Sequence, residues 1–298
     1  MTVQFKLVAS YAVDWLITAG LWVVFYLVGR VDGFKRSFSL QDTSLQHSHA
    51  EHSTVPSWAL VIIGLVGPAA IIIITNVIRG IRFWDIHVGC LGVSMSFVLA
   101  ASITNIIKVT VGRPRPDIIA RCQPTLESVQ SATGLVDSSI CTVIDNDGWR
   151  SFPSGHSSMS MAGCAFLSLY LAGKLYLFDH KGHTFKGVIF FTPIIIATLV
   201  GLSRLANYRH HPVDVLVGLA LGAVTAYYSY HLYYPSLTSD IPGEPLPPRK
   251  LQSAMHLSSE SEECVRLVSS RSQQVSPCPP SPSRIPSPSR YQKSYSDE

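Results

Sequence analysis

Charge is scarce in this chain. Lys, Arg, Asp and Glu make up 14% of its 298 residues, against about a quarter in an ordinary soluble domain. With 47% hydrophobic residues and a mean hydropathy of +0.27, that deficit argues against a soluble domain and for a membrane solvent. The net charge of +4 is spread along the chain, which speaks against nucleic acid as a partner. Six cysteines form no disulfide framework. Cys90 and Cys164 lie inside apolar runs, and Cys264 and Cys278 lie near the C-terminal end. Cys122 and Cys141 share one connection: they pair if it faces an oxidising lumen and stay reduced if it faces cytosol. Walker, HExxH and DxDx(T/V) signatures are also missing, so metal-dependent phosphate chemistry has no residues to stand on. "QHSHAEH" (His47, His49, Glu51, His52) lacks ligand spacing and reads as a polar loop. "DNDG" (Asp145 to Gly148) lacks the third acidic position of a calcium loop and reads as a turn. No metal and no cofactor is expected.

Long apolar runs are what the chain has in abundance. Six of them, at about 8–28, 58–78, 86–107, 157–178, 187–205 and 212–234, are long enough to cross a hydrocarbon layer of about 30 Å as helix. The expected fold is all-α, a six-span transmembrane bundle over residues 1–235. The first run lacks a small-residue cleavage site and reads as a retained span, with Asp14 at an interfacial or bundle-facing position. Residues 236–298, rich in Ser, Pro and Arg, cannot bury a core and read as a disordered tail. Ser276, Ser281 and Ser287 each precede proline there, which makes them candidate targets of regulatory kinases beside the plainer reading of a solvated tail.

Six spans put the first, third and fifth connections on one face. That face collects the polar clusters: "KVTVGRPRP" leaves the third run, "FPSGH" opens the fourth, "SR" ends the fifth and "HHPVD" opens the sixth. Lys108, Arg115 and Arg204 come from different span ends and together require an anion, for which the guanidinium fork and the ammonium suit phosphate. Ser154 is a good N-cap, and Gly155 permits close approach to free N–H groups at a helix start. Pro212 suits the first turn of the last helix, which places Asp214 where its carboxylate can turn back to His210. A carboxylate on one ring nitrogen fixes the tautomer and leaves the other free to attack. His156 would serve as general acid. The spacing alone leaves His211 as a rival nucleophile, and counting Lys and Arg leaves the sidedness of the face open.

Three motifs in order, Lys108 with Arg115-Pro116, then Pro153-Ser154-Gly155-His156, then Ser203-Arg204 with His210 and Asp214, resemble the signature of the type-2 phosphatidic acid phosphatase superfamily. Within it the chain resembles lipid phosphate phosphatases, most of all the fungal phosphatidate and diacylglycerol-pyrophosphate enzymes. The resemblance runs from about residue 8 to 235. It implies phosphate binding by Lys108, Arg115, Ser154, Gly155 and Arg204, acid catalysis by His156, a phosphohistidine on His210 and an orienting role for Asp214. It further implies a magnesium-independent hydrolysis of phosphatidate, diacylglycerol pyrophosphate or lysophosphatidate. The site would face the lumen of an endomembrane (endoplasmic reticulum, Golgi or vacuole type), with both termini cytosolic and a bilayer phospholipid as partner. Sphingoid-base and polyprenyl phosphates are alternative substrates, and a non-catalytic lipid-binding scaffold is the alternative class.

Overall fold

The computed structural model describes residues 9–50, 52–124 and 134–249. Among these the chain is helical, with no strand and two isolated β-bridges. The helices in order are α1 (Ala12–Arg30), α2 (Ser57–Ile78), α3 (Phe83–Val111), the short α4 (Ile118–Cys122), α5 (Gly155–Lys174), α6 (Thr184–Ala206) and α7 (Pro212–Tyr233). The six long ones fall on the six apolar runs.

Five of them are long and apolar enough to span a membrane. The other, α5, has 20 residues, about 30 Å of helix, but is rich in serine. The reason lies in its position. It packs against α7, α6 and α3 and is buried along nearly its whole length, so its side chains meet protein rather than lipid. Small residues permit the close packing. Gly163 lies against the carbonyl of Gly64 in α2, and Gly222 of α7 against the carbonyl of Ser158; a Cβ at either would strike backbone. Hydroxyls bind the bundle further: Thr104 shares a 2.7 Å hydrogen bond with Ser158, and Ser96 donates to the Ala162 carbonyl at 2.9 Å. The outer helices are the opposite. Leu16 and Leu27 of α1 and Phe191, Ile195 and Leu199 of α6 are exposed. Such a belt is stable only in an apolar solvent. The chain is a multi-pass membrane protein.

At one end of the bundle the connections after α1 and α3 fold into a cap with its own small core, built from Phe38, Leu45, Ile118, Val136, Ile140 and Trp149. Phe38 and Val136 exchange backbone hydrogen bonds of 3.0 and 2.8 Å, and Trp149 Nε1 donates to the Arg36 carbonyl at 3.1 Å. Cys122 and Cys141 are bonded, with Cα atoms 4.7 Å apart. At the opposite end Asp85 receives Tyr234 at 2.8 Å and pairs with Lys174, whose ammonium also meets the Gly243 carbonyl at 2.5 Å. Residues 236–249, assigned to the tail by composition, lie against this end. Leu246 accepts from Trp84 at 3.1 Å, and Arg249 pairs with Asp14 at 2.9 Å, which places Asp14 at the edge of its span. Residues 250–298, with the serines and cysteines noted there, lie outside those described.

Candidate active site

Each chemical group of the site stands where a long helix begins or ends. α3 stops at Gly112, which adopts a left-handed conformation (φ 57°) and returns its N–H to the Lys108 carbonyl at 3.2 Å. Phe34 lies so close to Gly112 that a Cβ would collide with its carbonyl. The sharp stop leaves Lys108 on the last helical turn and sends Arg113 to Pro116 across the bundle end. Ser154 caps α5: its hydroxyl accepts from the Ser157 N–H at 3.4 Å and from the Ser157 hydroxyl at 2.9 Å. The Phe152–Pro153 bond before it is cis. Arg204 ends α6, and Pro212 opens α7. Asp214 then accepts the backbone N–H of His211 at 3.0 Å, closing the first turn.

These ends converge on the short segment 147–156. Lys108 Nζ donates to the Arg150 carbonyl at 2.6 Å. His210 Nδ1 lies 2.6 Å from the carbonyl of the next residue, Ser151. Arg115 is held by the Asp147 carboxylate at 2.6 Å and carbonyl at 2.8 Å, and it reaches the Arg209 carbonyl at 3.3 Å. The Ser154 N–H donates to the Asp214 carbonyl at 2.9 Å, locking the start of α5 to that of α7. Gly155 packs beside Lys108 and Thr104: a Cβ there would stand 3.7 Å from Lys108 Cε and from Thr104 Cγ2. The loop before α2 closes the other side. His156 Nε2 meets the Val55 carbonyl at 3.0 Å, and Arg204 Nη1 donates to the Ser53 hydroxyl at 2.6 Å. Lys108, Arg115, Arg204, Ser154, His210 and Asp214 are all buried.

The two adjacent histidines separate clearly. His210 is 4% exposed. Burial, then the positive charges of Arg115 and Lys108, push its imidazolium well below the ordinary range, so the ring is neutral. A carbonyl only accepts, so Nδ1 carries the proton and Nε2 keeps a free lone pair. His211 is half-buried at the start of α7, with Nε2 3.3 Å from the Pro114 carbonyl. The expected contact between Asp214 and His210 is not a hydrogen bond: Asp214 Oδ2 stands 4.0 Å from Nδ1. Three other donors occupy the carboxylate: Arg113 Nη1 at 2.7 Å, the Ser151 hydroxyl at 2.5 Å and the His211 N–H.

Known proteins resemble the stretch of chain that carries these residues. The model of the PAP2 superfamily matches residues 87–237. The chain belongs to the PAP2 superfamily. It is 42% identical to a probable diacylglycerol pyrophosphate phosphatase 1 of Schizosaccharomyces pombe, over 68% of this chain and 74% of that one. It is 38% identical to lipid phosphate phosphatase 2 of Arabidopsis thaliana, over 74% and 77%. To diacylglycerol pyrophosphate phosphatase 1 of Saccharomyces cerevisiae it is 33% identical, over 72% and 76%. No solved structure matches.

In this PAP2 chain several site residues escaped the motif reading. Asp147 braces Arg115 and also lies 3.4 Å from Arg121. Burial alone would raise its carboxyl, but Arg115, Lys108, Arg121 and Arg209 outweigh that and hold it low. The "DNDG" stretch opens a short 3-10 helix (Asn146–Trp149), with Asp145 accepting the Asp147 N–H at 2.9 Å, and its acids brace Arg115 and Arg121. Two histidines of "QHSHAEH" go to separate partners: His47 stacks on Tyr208 at 4.2 Å, and His49 meets Asp117 at 2.7 Å. Glu51 lies outside the described residues. Ser53 and Val55 gave no signal, since a backbone carbonyl or a lone hydroxyl in a polar loop has no spacing to read.

Proposed function

We propose that the chain is a magnesium-independent lipid phosphate phosphatase that works through a phosphohistidine on His210. The observation that carries this reading is the neutral, buried His210, its Nδ1 held by the Ser151 carbonyl and its neighbours the cations Lys108 and Arg115. Phosphate would take over donors of Lys108, Arg115 and Arg204 from the carbonyl, carboxylate and hydroxyl oxygens they now meet. Behind the Ser154 cap, the first turn of α5 adds the backbone N–H groups of Gly155 and His156. His210 Nε2 then attacks phosphorus. The P–O bond to the leaving group breaks. His156, its pKa lowered to about 4 by burial and Arg204, is neutral at neutral pH, so it takes up the proton of the bound phosphate monoanion and passes it to the departing oxygen. Water, deprotonated by His156, attacks the phosphohistidine and breaks the P–N bond, which frees inorganic phosphate and neutral His210. The three cations stabilise the charge on the equatorial oxygens in both steps.

The substrate is a phosphate tethered to acyl chains: phosphatidate, diacylglycerol pyrophosphate or lysophosphatidate. Two features support this. The relatives are diacylglycerol pyrophosphate and lipid phosphate phosphatases by name, and the site lies at the end of the apolar belt, where a headgroup reaches the cations while its tails stay in lipid. The bonded Cys122 and Cys141 at the site's end of the bundle support a lumenal face on an endomembrane, with both termini cytosolic.

The test is phosphate release from phosphatidate in detergent micelles with excess EDTA, for wild type beside His210→Ala. Turnover in the first and none in the second is the expected result. Loss of wild-type turnover in EDTA, restored by magnesium, would overturn the metal-independent mechanism.

A further inference from the structure

Asp214 is fully buried and ion-paired with Arg113, a residue of "GRPRP" outside the three motifs. Its other oxygen takes the hydroxyl of Ser151, likewise fully buried. The carbonyl of Ser151 is the group that holds His210 Nδ1. The N–H of Ser151 in turn donates to the carbonyl of Arg113 at 3.1 Å. Ser151 is thus gripped at three points: its N–H by the Arg113 backbone, its hydroxyl by Asp214 and its carbonyl by the imidazole.

We infer that Ser151 and Arg113 are positioning residues for the nucleophile, and that Asp214 acts on His210 through the Ser151 peptide rather than by direct contact. The chemistry favours a carbonyl in this place. A carboxylate bonded to Nδ1 would draw the ring toward imidazolium, and a charged ring cannot attack. A neutral acceptor fixes the same tautomer without adding charge among Lys108 and Arg115. The acid is then free to anchor the acceptor, and Arg113 neutralises it in turn. A carbonyl displaced by even 1 Å would swing Nε2 off the line of attack, a misplacement worth about a hundredfold in rate.

This inference rests on the proposed role of His210, so its test carries one arm that needs no turnover. Ser151→Ala, Arg113→Ala and Arg113→Lys are compared with wild type in detergent, with histidine-selective ¹⁵N NMR to read the His210 tautomer, assigned by its loss in His210→Gln. Expected are a single Nδ1–H tautomer in wild type and a mixed one in Ser151→Ala and Arg113→Ala. In the kinetic arm kcat falls about ten- to a hundredfold at unchanged KM in those two variants, and Arg113→Lys recovers most of it. A purely structural role would lower the yield of folded protein and leave kcat per folded molecule and the tautomer unchanged, which overturns the inference. A wild type inactive on every lipid phosphate would refute the functional reading alone, because the tautomer still decides the role of Ser151.

Discussion

His211 meets the Pro114 carbonyl at 3.3 Å at the start of α7, whereas His210 points its Nδ1 at Ser151 beside Lys108 and Arg115. The difference predicts that His211→Ala keeps turnover of the wild-type order while His210→Ala loses it by several orders of magnitude; the reverse pattern would assign the nucleophile to His211. The pH behaviour follows from the same surroundings. His210 titrates well below the ordinary imidazole range because burial and two cations oppose its charge, so NMR should find its ring neutral at pH 6. In the unfolded chain it takes up a proton near pH 6.5. Its contribution to stability is therefore present above that pH and declines as the solution is made more acid. The residues named by motif were legible because three separated blocks had to meet. Arg113 and Ser151 were not, since a second arginine two places before Arg115 and a serine before "FPSGH" carry no spacing of their own. The misplaced detail was the carboxylate. The i to i+4 turn from His210 to Asp214 permits contact, but the helix-start bond to His211 and the Arg113 pair draw the acid away.

Among the elements, α5 is the long helix on an apolar run that falls short of the apolarity of a membrane span. Its serines and glycines make it look marginal as a span, and the same residues make it the hub on which α3, α6 and α7 pack. Hydropathy reports what faces lipid, and α5 faces almost none. Gly222 tests this directly. A side chain there meets the Ser158 carbonyl, so Gly222→Val should destabilise the bundle by at least about 1–3 kcal/mol, read as a lower melting temperature in detergent. Val224, 65% exposed on the same helix, is the control: Val224→Leu should leave the melting temperature unchanged. Equal effects at the two positions would contradict the packing of α5 on α7. The segment 236–249 lies against the end of the bundle opposite the site. It carries few apolar residues, and its hold on the bundle comes from single polar contacts such as Glu244 with Arg82 and Arg249 with Asp14, which no periodicity announces.

At the scale of the whole molecule, the bundle sets apolar faces outward and brings four helix ends to one side, where His210 stands with Lys108 and Arg115. The capping connections matter as much as the spans. The small core around Trp149 positions Asp147, Arg150 and Ser151, and through them Arg115, Lys108 and His210. The span count and the shared face could be read from run lengths and the placement of the motifs. The cap could not, because its core is assembled from scattered residues such as Phe38, Ile118 and Val136. The central claim is a covalent phosphoryl group on His210, and one measurement reaches it: the intact protein is given headgroup-labelled [³²P]phosphatidate, quenched in alkali, where a phosphohistidine survives, and digested for peptide mapping. The label is predicted on the peptide containing His210, absent from His210→Ala and retained in His211→Ala. Turnover with no label on the protein, or label at His211, would contradict the account.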